Sequence, residues 1–138
     1  MSEYDGVSNV KVVEAVPAAV IVATTTTGVE VDTLGFESCT FVLQIGAAAL
    51  DGSFTVAVQE DSATGMAGAT AVPADNVIGD LPVLSIGDQN KLFRVGTRGK
   101  ARFQRIVLTE TAPNSTGIIS ALAILGHPKS APVAAQST

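Results

Sequence analysis

The residue types that most often carry catalysis are rare in this chain, which contains one His, one Cys, one Tyr and no Trp. A metal site or a nucleophilic constellation needs several such groups to converge. His127 lies between Gly126 and Pro128 with no second His to share a metal, and Cys39 lies in an apolar stretch typical of a small buried side chain. The sequence therefore predicts a protein without enzymatic activity and without a cofactor or metal.

Acidic and glycine-rich segments also lack the spacing of known ligand-binding loops. The loop carboxylates do not follow the D-x-D-x-D-G pattern of a calcium loop. The GTRGK segment at 96–100 lacks the glycine spacing and the following helix of a phosphate-binding loop. The carboxylates considered are Glu60, Asp61, Asp75, Asp80 and Asp88.

Positive charge is concentrated in one segment. Six of the eight Lys and Arg residues lie within 91–110, and the first acid in that segment is Glu110, in a chain of formal net charge -5. Two β-rich runs flank 97–100, where Gly99 can take the positive φ of a tight turn, so we expect a hairpin with a basic tip. Such a face can orient an acidic partner, or it can simply protect a strand edge from aggregation. The candidate interaction residues are Arg94, Arg98, Lys100, Arg102 and Arg105, together with Tyr4 and His127 in the terminal segments.

Two further expectations concern this segment. Arg105 alternates in phase with Phe103 and Val107, which predicts a partly buried Arg with a charged partner. Phe93 and Phe103 lie among the basic residues, as in proteins that stack single-stranded bases. A sequence pI near 4.6 opposes phosphate binding, so we expect no nucleic-acid partner.

The segments that carry these residues have the sequence pattern of short strands. β-branched runs, frequent turn residues and few helix signals predict an all-β, two-sheet antiparallel sandwich of eight or nine strands, favouring a jelly roll. The whole chain, 1–138, is expected to be one domain, with an N-terminal arm at 1–8 and a C-terminal tail at 127–138. The turn at Asp51-Gly52 predicts a hairpin between its flanking strands, and Pro17 is expected to separate two strands. Short edge strands are expected at 69–72 or at 81–85, with one helical turn capped by Asp75.

The chain is apolar for its size: 46% of its residues are hydrophobic and 15% are charged, against about 25% charged in typical soluble domains. Segments 106–108 and 118–125 are apolar on both strand faces, so a partner, a second copy or a loop must cover one face. We expect a homo-oligomer, either a dimer or a trimer. The longest apolar run, 117–126, is about half the ~20 residues of a membrane-spanning helix, and the polar N-terminus is unlike a secretory signal, so no membrane partner or standard export is expected.

The final third resembles small structural proteins of tailed bacteriophages. The similarity is carried by Arg94-Val95-Gly96, by the run from Gly99 to Thr109, by Thr116 to Ile119, and by the run from Leu125 to Val133. Within that group the chain is similar to the jelly-roll capsid cement, or decoration, proteins, over roughly 35–133. This resemblance implies a protein made in the bacterial cytoplasm that binds the exterior of a capsid and clamps neighbouring subunits of the major capsid protein. The alternative is a phage surface module that binds a carbohydrate or a receptor.

Overall fold

A computed structural model of the chain describes residues 9–21, 25–47, 51–98, 101–111 and 115–129. Within these ranges the chain forms eleven strands and one 3-10 turn, Ala74–Asn76, and no α-helix. No helix of the described ranges is therefore long and apolar enough to cross a membrane. The strands are β1 (Lys11–Ile21), β2 (Thr25–Thr27), β3 (Val31–Asp32), β4 (Phe36–Ile45), β5 (Ser53–Asp61), β6 (Thr70–Ala71), β7 (Val77–Ile78), β8 (Val83–Ser85), β9 (Leu92–Thr97), β10 (Phe103–Glu110) and β11 (Gly117–Pro128).

Two antiparallel sheets form the predicted sandwich. One sheet has the order β1-β11-β4-β9-β7, and the other has the order β2-β10-β5-β6, with β3 also pairing β10 and β8 also pairing β5. If β2 with β3 counts as one interrupted strand, and β6 with β8 as another, the two sheets have the strand orders of a double Greek-key jelly roll. The predicted fold class is therefore confirmed.

Both predicted hairpins are wrong. β4 and β5 lie in opposite sheets, and so do β9 and β10, so the turns between them cross from one sheet to the other. Gly52 does take the positive φ expected of a turn residue, at 82°. Turn residues mark the end of a strand, but they do not determine whether the next strand pairs in the same sheet or crosses to the other one.

Pro17 does not end the first strand, contrary to expectation. β1 continues through it, with irregular register between Glu14 and Val16 and again between Val16 and Ala19. Among the described strands, β1 pairs with β11 alone and therefore lies at an edge of its sheet. Proline is tolerated in such a strand, where a bulge and an unpaired edge remove the need for its missing N–H.

The core lies between the sheets and is built from alternate residues of the long strands. Inward side chains of β4 and β11 are almost fully buried, whereas their neighbours in sequence face out. The expected short edge strands occur as β6 and β8, and the helical turn occurs at Ala74–Asn76, but no side chain caps it. The largest fully buried side chains are Phe41, Phe54, Leu43, Ile45, Leu84, Ile106, Leu108, Ile119, Leu125, Val16 and Val31.

Candidate interaction surfaces

Groups suited to catalysis do not converge in the part of the chain that the structure describes. No cluster of three or more His, Cys, Asp and Glu side chains that could hold a metal occurs there. Cys39 is buried, and its burial raises the pKa of the thiol to about 12, so the nucleophilic thiolate is suppressed at neutral pH. The thiol therefore contributes to packing.

The predicted basic residues are spread over different surfaces. Val95 and Thr97 of β9 are buried, so Arg94 lies on the outer face of the five-stranded sheet. Ile106 of β10 is buried, so Arg105 lies on the outer face of the opposite sheet. A single basic face containing both Arg residues cannot form, because the strands that carry them belong to different sheets.

Arg102 lies in the crossover and forms a two-point ion pair with Asp32. Its Nε and Nη2 donate to the two carboxylate oxygens at 2.8 and 2.7 Å. These hydrogen bonds, together with the Arg102 charge, lower the pKa of Asp32 to about 2. The guanidinium also lies 4.9 Å from the centroid of the Phe103 ring, within cation–π range. Arg102 thus connects the crossover to β3 and covers an otherwise outward-facing ring, which is 6% exposed.

Arg105 is half-buried, as predicted, but its observed partner is neutral. Its Nε donates to Oε1 of Gln59 at 2.9 Å, and the described residues give it no salt bridge. The expected charged partner is therefore not found in the described chain. Removal of Arg105 leaves an amide rather than an unpaired charge, so we expect a smaller loss of stability than for a buried ion pair.

The remaining candidates are Arg98, His127, Tyr4 and Lys100. Arg98 and His127 are exposed, and His127 takes a positive φ of 51° at the end of β11. Tyr4 and Lys100 lie outside the described residues, as do the whole N-terminal arm and the tail from 130 onward. An interaction role for each of these side chains stays a prediction.

The outer face of the five-stranded sheet carries exposed aliphatic side chains on more than one strand. Ile118 and Leu122 of β11 are 40% and 44% exposed, and Leu92 of β9 is 67% exposed. This surface, called the sheet face below, consists of the outward residues of β1, β11, β4 and β9. On β10, in contrast, outward Val107 is 8% exposed. The prediction of an apolar outer face is thus confirmed for β11, whereas the chain itself covers that of β10.

A second apolar surface lies at the edge of the other sheet. Val83 is 57% exposed while its neighbour Leu84 is fully buried, so β8 presents Val83 away from the core. Leu81 and Ile86 flank the strand and are 42% and 75% exposed. These three residues are called the β8 edge below. β8 pairs with β5, in the sheet opposite the one that carries the sheet face.

Comparisons with known proteins assign no family. No protein-family model matches the chain, and no curated protein matches it. A solved structure with some similarity is titled "Structure of infectious bursal disease virus Gt strain", at 12% identity and a TM-score of 0.27, covering 86% of this chain and 42% of that chain. The present chain thus spans less than half the length of that protein. A match at this level carries no argument about function, and the jelly-roll assignment rests on strand order.

Sequence reasoning did not single out Glu14, Val12 or Leu92, which the fold brings onto the sheet face. The alternation of Val12 and Glu14 with Val13 marks them as outward residues of a strand. The row that each one joins depends on the register of β11 with both of its neighbours, and no local pattern contains that information.

Proposed function

We propose that this protein is a capsid cement protein, a non-enzymatic virion component that binds the outside of a shell and joins neighbouring subunits of the major capsid protein. The observation that carries this proposal is the pair of separate exposed aliphatic surfaces, the sheet face and the β8 edge, on one small jelly roll. A protein that bridges two neighbours needs two contact sites. Two copies joined through the sheet face would present two β8 edges, one for each neighbouring capsid subunit. The resemblance of its final third to phage cement proteins agrees with this role.

Small contacts are sufficient for such a function. Each exposed patch is modest, but a shell repeats the same contact many times, and a protein that engages two sites at once gains affinity through the second, intramolecular contact. The low content of charged residues fits a protein whose surfaces are largely covered in an assembly. We place the bound protein on the virion exterior, after synthesis in the host bacterial cytoplasm.

The carbohydrate-binding alternative lacks a stacking platform in the described chain. The large hydrophobic residues exposed there are all aliphatic. Phe41, Phe54 and Phe103 are buried, and Phe36 and Phe93 are only partly exposed and pack against the core. Sugar recognition commonly uses exposed aromatic rings, so the described surface favours protein contacts.

A shell-binding experiment tests the proposal. Empty shells assembled from the major capsid protein of the same virus are sedimented with the purified protein, and bound copies are counted. Binding should saturate at a fixed ratio of copies to capsid subunits. Val83→Asp and Ile86→Asp should each weaken binding at least 10-fold, whereas Ala67→Asp, which adds the same charge in an exposed loop, should bind normally. Absence of saturable binding by the unmodified protein would overturn the proposal.

A further inference from the structure

We propose that the sheet face is a twofold self-association surface, on which a second copy of this chain packs sheet against sheet. This surface combines exposed aliphatic side chains with one acid and one base at opposite margins. Its charges are arranged so that a copy rotated by a half-turn is complementary to it. The charges of this surface, as well as its apolar side chains, therefore favour a second copy of the chain as the partner.

The decisive feature is one row of side chains across four strands. Glu14 pairs with Leu122, Leu122 with Val42, and Val42 with Arg94 in the sheet register. Glu14, Leu122 and Arg94 are exposed and Val42 is half-buried, so all four side chains lie on the sheet face. The row thus reads acid, aliphatic, aliphatic, base from the β1 margin to β9.

Glu14 and Arg94 cannot satisfy each other within one copy. Three strand spacings of about 4.8 Å separate their strands by about 14 Å, well beyond ion-pair distance. The described residues provide neither of them with a salt bridge. As far as the described residues are concerned, each charge is therefore available to a partner from a second copy.

Symmetry determines how a second copy fits. In a face-to-face dimer the twofold axis lies in the interface plane, and an axis along the strands between β11 and β4 reverses the order of the row. Glu14 then lies opposite Arg94 of the second copy, and Leu122 lies opposite Val42 of the second copy. An axis across the strands would place Glu14 on Glu14 and Arg94 on Arg94, which like-charge repulsion disfavours. The charges thus select the first arrangement, with strand directions within about 30° as in aligned sheet packing.

The adjacent row supports the same arrangement. It contains Val12, Ile124, Thr40 and Gly96 in register, followed by Ile78 on β7. Gly96 has no side chain, and a groove of about 360 Å³ lies there, between β4 and β7. The same half-turn places Val12 of one copy opposite Gly96 of the other. A protruding Val therefore faces a depression.

The available area agrees with a reversible dimer. A face of four strands about 4.8 Å apart and eight residues long at about 3.4 Å per residue measures about 19 by 27 Å, so two copies bury about 1,000 Å². This value lies near the lower limit for a specific interface, ~1,000–1,200 Å². We therefore expect a dissociation constant in the micromolar range rather than an obligate dimer.

Sedimentation equilibrium of the isolated full-length protein tests the inference. The unmodified protein should form dimers at micromolar concentration. Glu14→Arg and Arg94→Glu should each weaken dimerisation at least 10-fold, because each places like charges in contact twice per dimer. An equimolar mixture of the two variants should form a mixed dimer, because both contacts then again join an acid with a base. The double variant Glu14→Arg/Arg94→Glu should also recover the dimer.

Matched controls separate this effect from a change in net charge. Glu37→Arg and Lys129→Glu carry the same charge changes at exposed positions outside the row, and they should dimerise normally. A strictly monomeric unmodified protein at ~100 μM, about 100 times a dissociation constant of ~1 μM, overturns the inference. So does a mixture of the two single variants that stays monomeric although both melt cooperatively. The experiment uses no shells, so its failure is distinguishable from failure of the proposed capsid role.

Discussion

Thr97 of β9 donates a hydrogen bond of 2.5 Å from its Oγ1 to Oε1 of Gln104 on β10, with both side chains buried between the two sheets. The two strands belong to different sheets, so this bond joins the sheets beneath the crossover that connects them. Thr97→Val keeps the shape of the side chain but leaves the Gln104 carbonyl oxygen without its observed partner. We expect a loss of about 1–3 kcal/mol in the free energy of unfolding, measured by urea titration.

The double variant Thr97→Val/Gln104→Leu distinguishes the hydrogen bond from general packing. It removes both polar partners, so its stability should exceed that of Thr97→Val alone. Thr25→Val, at an exposed position of β2, serves as the control and should change stability by less than about 0.5 kcal/mol. Equal effects of Thr97→Val and Thr25→Val would show that the buried bond contributes nothing.

This bond also illustrates which part of the fold the sequence could predict. Alternation in β4 and β11 indicates which face of each strand is buried, because side chains along a strand point to opposite faces. The Asp51-Gly52 pair correctly predicts the break between β4 and β5, where Gly52 takes a positive φ. Neither signal contains the identity of the neighbouring strand, which depends on packing of distant segments, and both hairpin predictions therefore failed.

The same limit applies to the interaction surfaces. The cluster of Lys and Arg in the sequence suggested one basic face, but alternate sheets separate Arg94 from Arg105. Glu14 and Arg94 are far apart in the sequence, and they share a row only because β11 and β4 pair in a particular register. Patterns within one strand predict exposure, whereas the arrangement of charges across strands requires the complete sheet.

The ion pair between Asp32 and Arg102 should make stability depend on pH in the acidic range. Hydrogen bonds from Arg102 lower the pKa of Asp32 from 3.8 to about 2 in the folded protein. The charged form is thus favoured by folding, so the contribution of the pair is complete above pH 3.8 and disappears as the pH falls through 2. The stability difference between the unmodified protein and Asp32→Asn should stay constant from pH 5 to 7 and shrink steadily between about pH 4 and 2.

Salt provides the control for this measurement. Both side chains are 45% exposed, so their attraction is screened by solvent and by ions. In 1 M salt, where the screening length is about 3 Å, the difference between the two proteins should decrease at neutral pH. A difference that does not change with either pH or salt would assign the effect of the substitution to packing rather than charge.

Cys39 should be unreactive until the protein unfolds. Burial raises the pKa of its thiol to about 12, so the thiolate fraction at pH 8 is on the order of 10³-fold below that of a free Cys of pKa about 8.5. Ellman's reagent should therefore modify the native protein very slowly and modify it fully in denaturing urea. Fast, complete reaction of the native protein would place Cys39 at an accessible surface and contradict its buried position.

Gly28 lies between the backbones of β1 and β10, strands of different sheets, and this close contact should make it sensitive to substitution. Its N–H donates to the carbonyl oxygen of Ile106 at 2.7 Å, and the adjacent Val29 N–H donates to the carbonyl oxygen of Ala15 at 2.7 Å. A Cβ atom at residue 28 would lie 2.6 Å from both oxygens, so the backbones of β1 and β10 would have to separate. We expect Gly28→Ala to cost about 1–3 kcal/mol in the free energy of unfolding.

Gly68→Ala is the matched control, because a Cβ atom there meets only the Asp61 carboxylate, at 3.5 Å, an ordinary contact. The substitution also keeps the Gly68 N–H that donates to Asp61. Urea titration should show little change for this variant, even though both substitutions equally reduce the freedom of the unfolded chain. Equal stability of the two variants would contradict the close approach of β1 and β10 at Gly28. A larger loss for Gly28→Ala would identify the close approach of the two strands as the cause.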